Sequence, residues 1–335
     1  MVLVIRRNLR RDERGVASTV GTIMALLVFL TFLSLIVNQY VPVWMKDSEA
    51  SHMDTAVAQF ADVKGAIDFS VLGALMAQNA GPGAIFVPPT ASTSVTLGVD
   101  GVPIFSSPTT GVLNANPDGG PWNLSFEYCI RVNDVCTNTH VDQNASGQLD
   151  LVIQNRYYLT GDIVYENGAV IRSQSDGQVV RASPIFQITP SATNLSVAFE
   201  LVNLYGAGSA AGTTTQIVDT KVIGVNQQVY AGLTKNLTIR HTSAYGLAWF
   251  NFFNSTLSSG LRVTQYTYSS RFGTTQVIGT LPGTTSAIYT IAMNFVPATG
   301  LYSLTLNISP TPLSLSFTLQ QAFVNVGVGQ TSNGV

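Results

Sequence analysis

Hydrophobic and polar positions follow three rhythms along this chain. Over residues 15–45 no side chain is charged, and the run VGTIMALLVFLTFLSLIV is almost wholly apolar, the pattern of a helix surrounded by lipid. As a helix, residues 16–43 rise about 42 Å, enough to cross a hydrocarbon layer of about 30 Å. Farther on, Met53, Val57, Phe60, Val63, Ile67, Val71 and Leu75 recur at helical steps, while Asp54, Asp62, Lys64 and Asp68 take the other side. Asn79-Ala80-Gly81-Pro82 supplies a stop. The spacing predicts one near-continuous helix over residues 16–78, about 95 Å long, bent where Pro42 lacks a backbone donor.

Beyond about residue 84 the period falls to two. Trp122, Leu124, Phe126, Tyr128, Ile130 and Val132 alternate with polar neighbours, as do Val95-Leu97-Val99, Leu195-Val197-Phe199-Leu201, Tyr302-Leu304-Leu306-Ile308 and Leu313-Leu315-Phe317-Leu319. In IVYENGAVI, Asn167-Gly168 suits a two-residue turn that pairs Glu166 with Ala169 and Tyr165 with Val170. Residues 84–335 are thus expected to form an antiparallel β-sandwich or jelly-roll-like head, giving an α+β chain. A break at Ala182-Ser183-Pro184, or in GAGSAAGTTT at residues 206–215, would divide the head into two layers or subdomains. The second stretch reads as a flexible loop on composition.

Charge adds direction. Five of the sixteen basic residues (Arg6, Arg7, Arg10, Arg11, Arg14) precede Val16, and the remainder holds 11 basic and 16 acidic groups, a balance of 11 − 16 = −5. Arginines before an apolar helix place that end in the cytoplasm and residues 84–335 outside the cell. The folded part offers no basic cluster for nucleic acid. With 46% hydrophobic and 10% charged residues the chain can bury a large core.

Three fates are open to the N-terminal segment: cleavage by the general secretory peptidase near Ser48-Glu49-Ala50, retention as an uncut anchor, or cleavage before the apolar stretch, after Gly15. The third rests on Arg14-Gly15 directly before Val16, an arrangement that resembles the class III signal peptide of archaeal type IV pilin-like proteins. The resemblance implies a basic leader at residues 1–15, a prepilin-type peptidase as processing partner, and a stem at residues 16–79 whose membrane part is residues 16–43. Ala17, Gly21 and Ala25, four apart, then form a face for close helix packing with identical or other pilin-like subunits. Residues 156–180, RYYLTGDIVYENGAVIRSQSDGQVV, are similar to archaeal proteins that join a pilin-like N-terminus to a β-rich extracellular domain. Bacterial pilins carry a Glu soon after the cut; Val16-Ala17-Ser18-Thr19-Val20 has none, which points to the archaeal branch.

Candidate chemistry is sparse. Cys129 and Cys136, the only cysteines, are expected to join outside the membrane in a disulfide around Asn133-Asp134, worth about 2–3 kcal/mol. Sequons at Asn123, Asn144, Asn194, Asn236, Asn254 and Asn307 are glycosylation candidates, where roughly four arise by chance. His52, His140 and His241 are scattered, and His241 after LTIR is expected at a strand rim. No catalytic motif, metal set or cofactor fingerprint is evident, so no enzyme is expected. The aromatic stretch AYGLAWFNFF, residues 244–253, is either a recognition surface or part of the core. Two functions compete: a subunit of an archaeal cell-surface filament, and a monomeric, membrane-anchored extracellular binding protein, lectin-like or adhesive.

Overall fold

The two helical rhythms produce one rod with an interruption: α1 (Arg10–Leu35), a π-helical turn at Ile36–Tyr40, and α2 (Val41–Asn79). The interruption follows from Pro42. Its ring removes the N–H that would bond back four residues, and the chain widens the preceding turn so that Val41 N–H reaches the carbonyl of Ile36. The irregularity expected at Pro42 is therefore taken up one turn earlier. Pro42 itself sits in the first turn of α2, where a missing donor is harmless. At the far end Ala80 caps α2 and Gly81 takes φ +97°. The computed structural model describes residues 10–81, 86–102, 105–133, 135–263, 265–271, 274–281, 283–284 and 286–329; Pro82 and residue 84 of the expected head boundary lie outside them.

Strands follow in chain order as β1 (Ala91–Thr96), β2 (Gly111–Asn116), β3 (Trp122–Val132), β4 (Val135–Ala145), β5 (Gln148–Ile153) and β6 (Gly161–Glu166). Next come β7 (Ala169–Gln174), β8 (Gly177–Ala182), β9 (Phe186–Pro190), β10 (Asn194–Tyr205), β11 (Gly208–Gly212) and β12 (Thr215–Tyr230). The last third holds β13 (Leu237–Ser243), α3 (Gly246–Gly260), β14 (Gln265–Arg271), β15 (Thr274–Thr280), β16 (Ala287–Val296), β17 (Leu301–Ile308) and β18 (Ser314–Val328). They form three sheets, ordered β1-β12-β18-β10-β9, β11-β2-β5-β6-β7-β8 and β14-β15-β16-β17-β13-β3-β4. The ladders are antiparallel except β10 with β18, which run parallel in the first sheet.

Two hydrophobic cores share this framework. In β10 the odd positions Leu195, Val197, Phe199 and Leu201 enter one core and the even positions Val202 and Leu204 the other; β18 divides likewise, with Leu315, Phe317 and Leu319 against Ala322, Val324, Val326 and Val328. Because alternate residues of a strand point to opposite faces, the two long strands hand the chain from one core to the other. α2 fills the second core, packing on β1 and β12 of one sheet and β6 and β7 of another, while α3 packs in the first core against β8, β9, β16 and β17.

The β6–β7 hairpin belongs to both. Residues 163–171 are buried without a break, Val164, Ala169 and Ile171 facing one core and Ile163, Tyr165 and Val170 the other. The register pairs Glu166 with Ala169 and Tyr165 with Val170 as expected, and Asn167 and Gly168 take φ +46° and +75°, the positive values a type I′ turn requires. The tip then docks. Asn167 Nδ2 donates to the carbonyl of Glu200 at 3.1 Å, and Asn167 Oδ1 accepts from Val202 N–H at 2.8 Å. The antiparallel partner β9 has ended opposite Phe199, so the side-chain amide continues its ladder along β10.

The stretch at residues 206–215 is not the loop its composition suggests. Gly208–Gly212 forms β11 on the edge of β2. Small side chains allow the close approach there: a Cβ on Gly206 would lie 2.2 Å from the Val326 carbonyl oxygen, and one on Gly208 3.2 Å from that of Val328.

Asn167→Ala should destabilise the head by about 3 kcal/mol, because it strands a buried N–H and a buried carbonyl and removes the Asn side chain that tolerates the left-handed backbone at φ +46° better than Ala does. Asn167→Asp, which keeps the acceptor for Val202 but turns a buried carboxylate oxygen toward the Glu200 carbonyl, should destabilise at least as much. Urea unfolding midpoints check the order, and an Ala variant as stable as the parent would contradict it.

Candidate functional site

The stem carries the strongest chemical signal. Its most apolar 18-residue window has a mean hydropathy of 2.6 and none of it is buried, making this the single helix among the described residues that is long and apolar enough to cross a membrane. Met24, Phe29 and Phe32 are each more than 60% exposed. Ala17, Gly21 and Ala25 are exposed as well, and a Cβ on Gly21 would meet nothing within 4 Å, so a single chain leaves that face empty. Arg14, Gly15 and Val16 lie on the helical backbone of α1; their side chains, and residues 1–9 of the leader, fall outside the described residues. Cover by the head begins at Val41 and Met45, buried to 1% and 2%. One more apolar row stays in water: Phe69, Leu72 and Met76, on the outer side of α2, are 78%, 48% and 62% exposed.

The head grips α2 through a carboxylate. Glu49, fully buried, accepts at Oε2 from the backbone N–H groups of Tyr157 (2.8 Å) and Tyr158 (2.7 Å), and at Oε1 from Arg156 N–H (3.1 Å) and the Thr109 hydroxyl (2.5 Å). Four donors converging on one anion satisfy the charge that burial would otherwise penalise. One turn on, His52 Nε2 lies 2.9 Å from the Thr96 carbonyl. Burial pushes the His52 pKa down, against the upward pull of that bond and of Glu49. Gln59 clasps Thr96 at both its N–H (2.9 Å) and its hydroxyl (3.2 Å). Sequence spacing singled out none of these three polar contacts, since their partners lie 37 to 109 residues away.

Farther along α2, Lys64 and Asp68 form an ion pair at 2.6 Å near Glu200 of β10. Glu200 is 2% exposed, and its Oε1 accepts from Gln320 Nε2 at 2.8 Å. Its Oε2 and the Tyr165 hydroxyl are buried with no hydrogen-bond partner among the described residues. Burial first, then the Asp68 charge, raises the Glu200 pKa to about 7, while Gln320 and Lys64 oppose the shift. Asp150 and Asp162 are raised too, each chiefly by burial.

A second buried carboxylate, Glu166, joins the hairpin tip to the first core. Its Oε2 accepts from Trp249 Nε1 (2.7 Å), Ser243 Oγ (3.2 Å) and His241 Nε2 (3.3 Å). His241 is therefore no rim residue. It is 2% exposed and stacked on Trp122 at 3.7 Å, because its strand, β13, is central in its sheet. With the Glu166 and His241 side chains at 0% exposure, this buried cluster is closed to a substrate. The aromatic stretch is likewise core: Trp249 and Phe253 of α3 are fully buried, which removes the recognition-surface alternative.

On the outside, Cys129 and Cys136 are disulfide-bonded across the β3–β4 hairpin, with Asn133 at φ +52° in the turn; Asp134 lies outside the described residues. At the root of this hairpin a polar groove of about 530 Å³ opens between β3, the segment before β13 and residues 309–311. Lys235 Nζ donates to Glu127 Oε1 at 2.6 Å on its wall. The sequons are dispersed over the head rather than gathered: Asn123 and Asn144 face each other on β3 and β4, Asn194 begins β10, Asn254 is on α3, Asn307 is on β17, and Asn236 lies at the groove.

The head should lose stability as pH rises from about 4.5 through 7. Glu200 has a folded pKa of about 7 against an ordinary value of 4.5, so over that interval the folded chain holds a proton the unfolded chain releases, a difference of about 3 kcal/mol. Asp150 and Asp162 act in the same sense. His52 acts in the opposite one, since its lowered pKa withdraws stability as pH falls through 6.5 and below. Glu200→Gln should therefore flatten the fall in urea midpoint between pH 5 and pH 8, and an unchanged slope would refute this assignment.

No curated protein and no solved structure matches the chain. Residues 124–293, from within β3 to within β16, match the model of a family of unknown function, DUF7289. That span leaves out the stem and contains the buried hairpin, Glu166, Asn167, Asn236 and α3. It covers half of the chain, so the protein belongs to this family.

Proposed function

We propose that the protein is a pilin-like subunit of a cell-surface filament, of the archaeal class III signal type, held in the membrane by its stem before assembly. One observation carries the reading: α1, bare and apolar, is the direct continuation of a helix whose other half is buried along one face in a β-rich head. In this reading the leader arginines stay in the cytoplasm, the head stands outside the cell, and a prepilin-type peptidase removes residues 1–15. The subunit then leaves lipid for a bundle of like stems, with Ala17, Gly21 and Ala25 as the close-packing face. The role is structural and involves no catalysis or cofactor.

The alternative, an anchored monomer with a binding head, accounts for α1 equally well. It does not account for Phe69, Leu72 and Met76. These begin about 39 Å along the helix beyond residue 43, out of reach of the bilayer, and expose a row of large apolar side chains to water on the face α2 turns away from its own head. Such a row supports contact with a neighbouring subunit.

Mass spectrometry of the mature surface protein should find Val16 as the first residue; an intact leader would sink the filament reading. Phe69→Ser combined with Met76→Ser should leave membrane insertion intact and head stability within about 0.5 kcal/mol, because both side chains are exposed, while the amount of assembled material falls. Assemblies formed in undiminished amount would favour the anchored monomer.

A further inference from the structure

We infer that Asn236 carries an N-linked glycan and that its first sugars lie in the polar groove at the root of the β3–β4 hairpin. The inference rests on the proposed export of the head, because the transfer of such glycans takes place on the outer side of the membrane.

The fold separates the six sequons. Asn236 alone lies outside every helix and strand, in the segment that links β12 to β13. It is exposed and forms no hydrogen bond among the described residues. The other five are held. Asn123 donates Nδ2 to Asn144 Oδ1 at 2.9 Å, tying the two amides together across the ladder. Asn194 Nδ2 is shared between Ser196 and Ser316, at 3.1 and 3.2 Å. Asn307 accepts from Thr238 at 2.8 Å and donates to Thr290 at 3.5 Å, while Asn254, half-buried on α3, accepts from Tyr289 at 3.4 Å. An acceptor amide must reach a transferase and then hold a bulky, hydrated sugar on a surface loop. Among the described residues Asn144 and Asn254 are held only through Oδ1 but lie within a strand and a helix, and only Asn236 is an exposed loop amide with no hydrogen bond to break.

The groove supplies a seat. Its volume of about 530 Å³ lies within the range of about 300–1,000 Å³ of small-molecule sites. Its walls carry Glu127, His140, Thr234, Lys235, Ser309 and Thr311, a set of carboxylate, imidazole, ammonium and hydroxyl groups matched to the hydroxyl-rich edge of a sugar. In the transfer step Asn236 Nδ2 attacks the anomeric carbon of a lipid-phosphate-linked oligosaccharide. A C–N bond forms, the C–O bond to phosphate breaks, the lipid phosphate leaves with the bonding pair, and the amide proton passes to a base of the transferase.

The test uses protein purified from the membranes of its own cells. A tryptic cut after Lys235 and Arg240 isolates residues 236–240, which hold no other acceptor, and this peptide should appear with a glycan mass and sugar fragment ions. Asn236→Gln, a change at an exposed side chain, should lower the intact mass by that of the glycan. Lys235 should then react several-fold faster with an amine-specific reagent, since the sugars no longer cover it; equal rates would remove the groove from the inference. An unmodified Asn236 peptide, or sugar on the other sequons only, overturns the assignment. Protease added to intact cells tells the two failures apart: a head cleaved from outside with bare Asn236 defeats the glycan alone, and a protected head defeats export and the glycan together.

Discussion

A hairpin buried on both faces governs the rest of this molecule. IVYENGAVI cannot stand at the surface of a sandwich, because each of its faces needs a separate apolar partner. The chain answers with two cores on either side of one hairpin, and with long strands, β10 and β18, whose odd residues serve one core and whose even residues serve the other. The polar tip is the point of greatest constraint. Glu166 and Asn167 stand together inside the protein and find their partners there: Glu166 in Trp249, Ser243 and His241, Asn167 in the backbone of β10. A misplaced tip would leave an unpaired carboxylate and amide in low dielectric, an outcome far more damaging than a lost apolar contact. The tip therefore specifies how the sheets meet as well as stabilising them.

What was legible in the sequence was local. The helical period of α2, the alternation in β3, β10, β17 and β18 and the Asn-Gly turn each follow from steric rules that act within a few residues. The α+β organisation with its N-terminal apolar helix came from the same rules. What escaped depended on distance along the chain. Glu49 looked like one more polar position beside a possible cleavage site, and its partners at Arg156, Tyr157 and Tyr158 are set by the fold alone. His241 ends a short polar-looking stretch, and only the sheet order shows that β13 is interior to its sheet and its odd face, which holds His241, covered. Residues 206–215 have the composition of a linker, yet small side chains serve equally well where one backbone lies close upon another. The six sequons read alike in sequence, and only topology shows that five of them are occupied by neighbours.

Within the head the polar groups divide into two kinds. Glu49, met on both oxygens, and Glu166, held by three donors on Oε2, fix geometry. Glu200, with a single side-chain donor, Asp68 close by and a pKa near 7, does not. It lies beside the tip of the β6–β7 hairpin, where a Cβ on Gly168 would be 3.5 Å from its Oε2, so the least settled carboxylate among the described residues adjoins the hairpin that defines the fold and faces the Lys64–Asp68 pair of α2.

The grip on α2 also fixes how this protein meets mechanical load. A pull on α1 runs along the axis of one helix into α2, whose buried row from Val41 to Leu75 is wedged against β1, β12, β6 and β7. Tension applied this way is shear: the side chains of the whole row must slip together, rather than letting go one after another as they would if the helix were peeled from its side. Glu49 is the first charged anchor on that path, and its carboxylate bears on a backbone loop that leads into β6. Load entering along α1 is passed at once to the hairpin shared by both cores, by way of the π-turn at Ile36–Tyr40 that joins the bare helix to the gripped one.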